Sequence, residues 1–488
     1  MITLRSAPKL RDDVFVVPSG QQTAYIHSSR GIELIAEPGF YTWIERLTPF
    51  LNGASTVERL VTGLDDERRS AVLGVLARLD ALGLIEDPAD DGPARREQSF
   101  ADADVLVLGA GPAADALARH LSNAGVAKVA TSQDPGSVDH GHDAVVVVAG
   151  TGLPLPVAAL AELDDRCRRN GVWFVPAAVD DAACWIGPVL GPGAARMAGG
   201  WIGAWLRIHG QHGAAPARRP VEPVAVEIAA AQLAHRFREL ATAEDDARQD
   251  VLIRLDLTDL STSRHGYRPH PAALPATAQS ESEFLATIAA LRAAPAVDAQ
   301  EFSRRAARCI DEHTGLIGSL DEEGLPQFPR RATTATVRDP RGVAPGSAAP
   351  HGAPPGDRPH RVYGVAPDFG TARILAARRA LARYASLALD PRRFVPTRSG
   401  PAVWAWSPER EVASLVPVSA VVPSAKADPG SRGLGLGHGL EWDEAVDTAL
   451  RSLRGAAPRH RALIVPLDHD PAAVEALPYL VKAVVIDA

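Results

Sequence analysis

The sequence predicts a multidomain α/β protein with three parts: a small N-terminal unit at 1–88, a parallel α/β domain at 100–300 and a C-terminal α+β region at 301–488. The chain has 488 residues, which at roughly 100–200 residues per domain is too long for one core. Buried-strand patterns alternate with helical patterns along the second part, as in a parallel sheet covered by helices. Two polar stretches, 87–99 and the proline- and glycine-rich 330–362, interrupt the apolar patterning.

Composition and charge exclude several classes of protein. With 46% hydrophobic and 23% charged residues, the chain has the composition of a folded globular protein. The sequence contains no run of the ~20 apolar residues that a membrane span needs and starts with no secretion signal. We therefore expect a cytoplasmic protein with no membrane partner. Three distant cysteines, Cys167, Cys184 and Cys309, fit a reducing compartment, and a net charge of −8 argues against nucleic-acid binding.

The unit at 1–88 combines three strand-like runs with three helical segments. β-Branched and aromatic residues between turn residues predict strands at 14–17, 23–28 and 31–36. The helical segments begin at 39, at a capping box formed by Ser55 with Glu58, and at the acidic residues 65–67. In the third helix the apolar residues recur at helical spacing, and Gly83 ends it. This content resembles a winged helix-turn-helix, but the unit has nine basic and twelve acidic residues, which disfavours a DNA reader.

A glycine turn marks the start of the α/β domain. The buried strand 103–111 runs into Gly109-Ala110-Gly111-Pro112, and a helix follows at 113–124. A dinucleotide fingerprint has a third glycine where Ala114 stands, and an acid at the end of the second strand, where the sequence has VATSQD. Gly109 and Gly111 therefore either bind a nucleotide or keep only the turn, and we favour a vestigial turn. Further strands are predicted at 143–152 and 171–179, and the segment 224–300 is predicted to be mostly helical.

Two sequence stretches in this domain resemble the ThiF-like adenylating family. They are VLVLGAGPAADALARHLSNAGVAKV (105–129) and WIGPVLGPGAARMAGGW (185–201). In that family the second stretch leads into a Cys-x-x-Cys pair that binds zinc. No cysteine follows Gly193 within that stretch here, so the resemblance implies a degenerate domain without a metal site.

The C-terminal region resembles the YcaO family. CIDEHTGLIGSL (309–320) is similar to the strand that opens the family's domain, and GLGLGHGLEWDEAVDTALRSLRG (433–455) to its glycine-rich strand and helix. The helix predicted at 371–388 matches the one whose glutamates hold magnesium and ATP in the family. Arg379 and Ala382 stand at the glutamate positions, and Mg²⁺ requires oxygen ligands. The resemblance implies a truncated, inactive YcaO-like region, and 330–362 is expected to be a mobile loop.

The combination resembles the leader-peptide-binding partner proteins, also called ocin-ThiF-like, of azole-forming peptide pathways. The resemblance implies that 1–88 is a peptide recognition element and that the chain delivers a precursor's leader peptide to a separate YcaO cyclodehydratase. The expected peptide-binding residues are Gly31, Ile32, Glu33, Leu34, Ile35, Ala36, Arg69, Leu73 and Leu76. No catalytic residue, metal or cofactor is expected. The alternative is a ThiF-type adenylating enzyme acting on a peptide or carrier protein, which a nucleotide at Gly109 and Gly111 would favour.

Overall fold

The chain forms two compact units, Met1–Ser99 and Phe100–Ala488. This computed structural model describes residues 3–485 apart from 5, 12–13, 20–22, 29–30, 36–39, 87–91, 139–140, 150–156, 180–181, 193–198, 211–221, 244–249, 342–359, 423–433 and 454–461. The division into three domains stays a prediction. Among the described residues, none of the helices has the length and apolar character needed to cross a membrane.

The described residues of the first unit form two small antiparallel sheets and three α-helices. Its elements are β1 Lys9–Leu10, β2 Phe15–Ser19, β3 Thr23–Ser28, β4 Gly31–Ile35, α1 Phe40–Leu47, α2 Val57–Val61, α3 Asp66–Ala81 and β5 Ile85–Glu86. One sheet has the order β2-β3-β4, and β1 pairs with β5. The predicted strands and helices are confirmed, but the predicted N-cap of α2 is wrong. The side chain of Thr56, not Ser55, accepts from the backbone N–H of Arg59 at 3.3 Å.

One hydrophobic core holds this unit together. Ile26 of β3, Ile44 of α1 and Leu79 of α3 are buried in it. The acidic first turn of α3 begins at Asp65, whose carboxylate accepts from the N–H of Arg68 at 2.8 Å. This cap satisfies a backbone donor that the helix cannot pair internally, and it fixes where α3 starts against the core.

The first half of the second unit is a layered α/β structure. Its elements, with the helix that leads into it, are α4 Gly92–Asp102, β6 Asp104–Leu108, α5 Pro112–Asn123, β7 Lys128–Ser132, β8 Ala144–Ala149, α6 Val157–Asn170, β9 Trp173–Val179, β10 Ala183–Ile186, α7 Gly200–His209, α8 Pro223–Thr242, β11 Val251–Asp256 and β12 Thr262–Gly266. They form a seven-stranded sheet with the order β12-β11-β10-β9-β8-β6-β7. The predicted parallel core is confirmed, because β7, β6, β8 and β9 run parallel.

The prediction of a mostly helical 224–300 is wrong in its middle. After α8 the chain forms β11 and β12, which pair antiparallel and extend the sheet beyond β10. In β11 the side chains of Leu252, Ile253 and Leu255 are buried, and this packing stabilises the strand. The strand is hard to recognise in the sequence because it follows an alanine-rich helix.

The second half of this unit carries two further sheets. Its elements are α9 Glu281–Ala293, α10 Ala299–Ala307, β13 Ser319–Asp321, β14 Arg331–Val337, β15 His360–Ala366, α11 Phe369–Leu387, β16 Val395–Thr397, β17 Gly400–Trp406, β18 Ala413–Pro417, α12 Val418–Val421, β19 Leu436–His438, α13 Trp442–Ser452, β20 Ala462–Pro466, α14 Pro471–Ala476 and β21 Leu480–Val485. One sheet has the order β13-β14-β15; the other has β16-β17-β20-β21-β19, with β18 beside β17.

Two sequence predictions in this half need correction. The stretch 330–362 is not a loop throughout, because β14 lies at the centre of a sheet with Thr333, Ala335 and Val337 buried; residues 342–359 lie outside the description. The segment 309–320 is not a strand throughout, since a turn precedes β13. In that turn a Cβ at Gly315 would overlap the backbone of Asp311, which explains why the sequence has glycine there.

A buried polar cluster joins the two halves of the second unit. Arg207 of α7 donates to Asp470 at 3.1 Å and to the hydroxyl of Tyr384 on α11. The side chains of Arg207 and Asp470 are 2% and 0% exposed. Arg338 adds a hydrogen bond to the carbonyl of Ile208 at 3.2 Å. The seven-stranded sheet and the C-terminal sheets are therefore packed as one body.

Candidate functional site

The expected peptide-binding strand lies at the edge of its sheet. Within the described part of the chain, β4 pairs with β3 alone, and its residues 31–35 face 28–24 in antiparallel register. The unpaired edge of such a strand has backbone N–H and C=O groups that can bind another strand. Of the predicted contact residues, Ile35 is 3% exposed in the core. Gly31 begins β4, whereas Ala36 and the side chains of Ile32, Glu33 and Leu34 lie outside the description.

The three predicted contact residues of α3 lie on successive turns of one helix. Arg69 is exposed, Leu73 is half-buried, and Leu76 is 1% exposed in the same core as Ile35. Arg69 and Leu73 are thus accessible from solvent. Leu76 is buried, so it could affect a bound peptide only by supporting the residues that contact the peptide. Their role in peptide binding stays a prediction.

The glycine turn is engaged in local structure. Gly109 donates to the carbonyl of Ser132 at 2.9 Å, and Gly111 caps α5 without a side chain. A Cβ at Gly109 would lie 3.3 Å from the Cβ of Ala114, so the close approach of strand and helix is preserved with alanine at the third position. The first acid after β7, Asp134, accepts from the N–H of Gly136 at 2.8 Å. That carboxylate caps a local turn, which differs from the role of the acid that binds the ribose in a dinucleotide site.

A large cavity lies among the C-terminal elements, with a volume of about 700 Å³. It is formed by β15, α11, β19 and α13. Its walls bring together five arginines, two histidines and one glutamate: Arg361, Arg378, Arg379, Arg383, Arg451, His360, His438 and Glu444. Both positions where the YcaO resemblance expects glutamates, Arg379 and Ala382, line it, as does Ser452. The helix α11 and the stretch 433–455, which carry two of the YcaO-like patterns, therefore meet at this cavity.

Glycine allows the β19 wall to lie close to α13. A Cβ at Gly437 would overlap the carbonyl oxygen of Ala445 and would crowd Ala449. Because nothing larger than hydrogen fits there, β19 packs directly on the helix. His438, the next residue, and Glu444 both line the cavity.

The only carboxylate among the described lining residues is already neutralised. Glu444 accepts from Arg378 and from the backbone N–H of Leu440 at 2.6 Å. Burial opposes ionisation, but these hydrogen bonds prevail and lower the pKa of Glu444. A magnesium site needs several free oxygen ligands. The described lining residues do not fit Mg²⁺, because they offer one occupied carboxylate against five guanidinium groups.

The remaining charge on the walls is positive. Arg379 donates to the carbonyl of Tyr363 at 2.6 Å, and Arg383 lies 3.3 Å from Nδ1 of His360. Behind them, burial together with the charge of Arg383 lowers the pKa of Lys482 to about 8. Burial, and then Arg378 and Arg379, lower the pKa of His438 to about 3, so its ring is neutral at pH 7.

Sequence reasoning noticed these residues singly or missed them. The sequence pattern identifies Arg379 only as a lost ligand and gives no reason to connect it with Arg361, Arg378 or His438. The available signal was the repeated arginine of α11, at 378, 379 and 383, on a helix whose other residues are mostly apolar. Such a helix is expected to be buried, and buried arginines need partners.

Several solved structures resemble the chain, whereas no protein-family model and no curated protein matches it. A heterocyclase in complex with substrate and cofactor is 15% identical, with a TM-score of 0.53 over 92% of this chain and 70% of its own. The heterocyclase TruD is 16% identical, with a TM-score of 0.42 over 92% and 69%. MccB of E. coli, solved with MccA-N7isoASN, is 12% identical, with a TM-score of 0.36 over 53% and 96%. The first likeness shows that the chain shares the fold of a heterocyclase over most of its length.

Proposed function

We propose that the chain binds the leader peptide of a ribosomally made precursor and delivers it to a separate ATP-dependent YcaO cyclodehydratase, which forms thiazoline and oxazoline rings. The observation that carries this proposal is the edge strand β4 in a compact unit of its own. The fold shared with a heterocyclase that was solved with its substrate supports a place in the same kind of chemistry.

Strand addition is the mode of binding that suits this unit. An extended peptide that pairs with β4 gains main-chain hydrogen bonds, and its alternate side chains reach the surface beside the strand. The face of α3 that carries Arg69 and Leu73 offers a charged and an apolar contact. A leader peptide that is recognised mainly through its backbone leaves the rest of the precursor free for the partner enzyme.

The role proposed for the chain is non-catalytic. Arg379 and Ala382 occupy the positions at which the resemblance expects the glutamates of a magnesium–ATP site, and Glu444 is paired with Arg378. The proposal accordingly includes no magnesium-dependent ATP chemistry and no zinc in this chain. The ATP-dependent step is assigned to the partner.

The test uses two variants, each of which has proline at one of two successive residues of β4. Successive backbone N–H groups of a strand point to opposite edges, so one of Glu33→Pro and Leu34→Pro removes a donor facing outward and the other removes a bond to β3. We expect the variant with the unchanged melting temperature to lose about tenfold in affinity, since the loss of one main-chain hydrogen bond that leaves its acceptor unpaired costs about 1–3 kcal/mol. Fluorescence polarisation with a labelled leader peptide measures the affinity.

Arg96→Ala in α4, outside both β4 and α3, is the matched control and should bind the leader normally. The folded β4 variant that no longer binds should also fail to support ring formation when the precursor, the partner YcaO enzyme and ATP are mixed. Unchanged leader affinity in both proline variants would exclude β4 as the binding strand. Ring formation at the full rate without this chain would exclude the delivery role.

A further inference from the structure

A serine, a histidine and an aspartate form one hydrogen-bonded row at the edge of the seven-stranded sheet. Nε2 of His265 lies 2.7 Å from Oγ of Ser263, two residues earlier on β12. Nδ1 of the same ring lies 3.0 Å from Oδ2 of Asp311, in the turn before β13. Serine hydrolases use these three groups in this order: the histidine takes the proton of the serine, and the aspartate orients the ring.

The aspartate determines which nitrogen of His265 carries a proton in the neutral ring. Burial opposes ionisation of Asp311, but hydrogen bonds from His265 and from the turn hold its pKa at about 2. The carboxylate is therefore ionised at pH 7 and can only accept, so Nδ1 of His265 donates to it. Nε2 is then free of a proton and accepts from the hydroxyl of Ser263. This is the tautomer that a general base needs.

The base is shielded from solvent, whereas the nucleophile is open to it. His265 is 8% exposed, and Ser263 is exposed. The ring of His265 packs edge-on against the rings of Trp185 and His313, with centroids 5.7 and 5.0 Å apart, so its orientation is fixed from two sides. Burial, and then the charge of Arg254, lower the pKa of His313. That ring is therefore neutral at pH 7 and does not repel a proton on His265.

The open edge of β12 offers a backbone donor beside the serine. Within the described part of the chain, β12 pairs with β11 alone. The N–H of Tyr267 donates to Asp250 at 3.0 Å, and the N–H of Asp256 donates to the carbonyl of Ser261 at 2.9 Å. Bonded pairs recur at every second residue of an antiparallel ladder, so the N–H of Arg264 points to the open edge. In hydrolases, the N–H of the residue after the nucleophile can stabilise the oxyanion.

We infer that Ser263 is the nucleophile of a site that hydrolyses acyl esters, with His265 as general base and Asp311 as positioning residue. Oγ of Ser263 attacks the ester carbonyl carbon while Nε2 of His265 takes its proton. The ester C–O bond breaks, and the leaving alkoxide takes that proton to become the alcohol. Water, which reaches the exposed serine, then attacks the acyl group and gives a proton to Nε2. The bond from Oγ to the acyl carbon breaks, Oγ takes the proton back, and the carboxylic acid leaves.

This activity is additional to the delivery of a leader peptide and does not depend on it. The row of Ser263, His265 and Asp311 belongs to 100–488, whereas β4 belongs to 1–99. A protein that fails to bind the leader could still hydrolyse an ester, and the reverse also holds. Failure of one proposal therefore leaves the other to be judged by its own experiment.

Hydrolysis of p-nitrophenyl acetate by the full-length protein tests the inference. We expect p-nitrophenolate to be released above the buffer rate, and a fluorophosphonate to label one serine per chain as its phosphorus bonds to Oγ and fluoride leaves. Ser263→Ala should lower the protein-dependent rate at least about a hundredfold and abolish labelling. His265→Gln should lower the rate about a hundredfold, the lower end of what a general base contributes. Asp311→Asn should lower kcat with an unchanged KM, because it acts only through the ring of His265.

Ser261→Ala is the matched control. Ser261 is likewise exposed and is the preceding serine in the chain, so its loss should leave hydrolysis and labelling unchanged. A thiol at each position gives a second readout, since the three native cysteines are buried. Ser263→Cys should react with iodoacetamide at about pH 7 roughly tenfold faster than Ser261→Cys, because the neighbouring His265 favours the thiolate.

Three results would each overturn the inference. The first is hydrolysis by Ser263→Ala at the rate of the unchanged protein, and the second is a fluorophosphonate label on any residue other than Ser263. The third is an equal rate of alkylation in the two cysteine variants, which would show that His265 does not activate the group at position 263. Because Ser263 is exposed, the melting temperature of Ser263→Ala should stay near that of the unchanged protein.

Discussion

At the scale of single residues, Asp311 shows how one carboxylate fixes a turn. Its Oδ1 accepts from the backbone N–H groups of His313 and Thr314 at 2.8 and 2.9 Å, and its Oδ2 lies 3.0 Å from Nδ1 of His265. Burial opposes ionisation, but the hydrogen bonds from His265 and the turn prevail and hold the pKa of Asp311 at about 2. An unfolded aspartate has a pKa of about 3.9.

This difference predicts a pH dependence of stability. Because the folded pKa is the lower one, the contribution of Asp311 is fully present above about pH 4 and is lost as the pH falls towards 2, for a total of about 2 kcal/mol. Asp311→Asn should therefore unfold more easily at pH 7, and the gap to the unchanged protein should narrow between pH 4 and 2. Tryptophan fluorescence in urea reports this unit, since seven of the eight tryptophans lie in 100–488. Glu312→Gln, next in the chain and exposed, should show no such gap, and a gap for Asp311→Asn that is constant with pH would contradict the argument.

At the scale of secondary-structure elements, the cavity depends on the direct packing of β19 on α13. Gly437→Ala places a methyl group against the carbonyl oxygen of Ala445, and overpacking of this kind costs about 1–3 kcal/mol. We expect a lower urea midpoint by tryptophan fluorescence, because β19 can no longer pack directly on α13. Gly266→Ala is the control, since its Cβ would lie 3.9 Å from the nearest atom, the carbonyl oxygen of Asp250. Equal midpoints for the two variants would contradict the packing argument.

Elements with strong local patterns were predictable from the sequence. The run AVVVVA of β8 indicates a buried strand, and the acidic first turn with the apolar repeat of α3 indicates a helix. β11 and β14 were missed for different reasons: β11 follows an alanine-rich helix, and β14, RATTATV, lies in a stretch rich in arginine and proline. Both strands are stabilised by pairing with distant partners.

The cavity was beyond sequence reasoning for a geometric reason. Its lining residues run from His360 to Ser452, and no spacing rule relates a strand, a helix, a second strand and a second helix over that length of chain. The loss of the glutamates at 379 and 382 was visible in the sequence, but the convergence of five arginines on one space was not.

At the scale of the whole molecule, the cluster of Arg207, Asp470 and Tyr384 makes one body of residues 100–488. Arg207 also donates to the carbonyls of Arg268 and Pro269 at 2.8 and 2.7 Å, so its charge is fully surrounded. Removing one member of a buried ion pair costs about 3–5 kcal/mol because the other charge is left uncompensated, whereas removing both charges costs less than the sum. Arg207→Met and Asp470→Asn should each lower the free energy of unfolding by that amount. The asparagine can still accept from the N–H of Ala472, as Oδ1 of Asp470 does at 2.9 Å.

A double-mutant cycle measured in urea separates this coupling from general damage. We expect the double variant to be more stable than additivity predicts by at least about 1 kcal/mol, since coupled neighbours deviate by about 0.5–3 kcal/mol. Arg292→Met, which breaks the exposed pair with Glu411 at 3.2 Å, should change stability by less than about 1 kcal/mol. If the effects of Arg207→Met and Asp470→Asn on the free energy of unfolding are additive, the two residues are not coupled and their ion pair does not join the two halves of the unit. Two separate unfolding transitions in Arg207→Met, one for each half, would be the strongest sign that this cluster makes them cooperative.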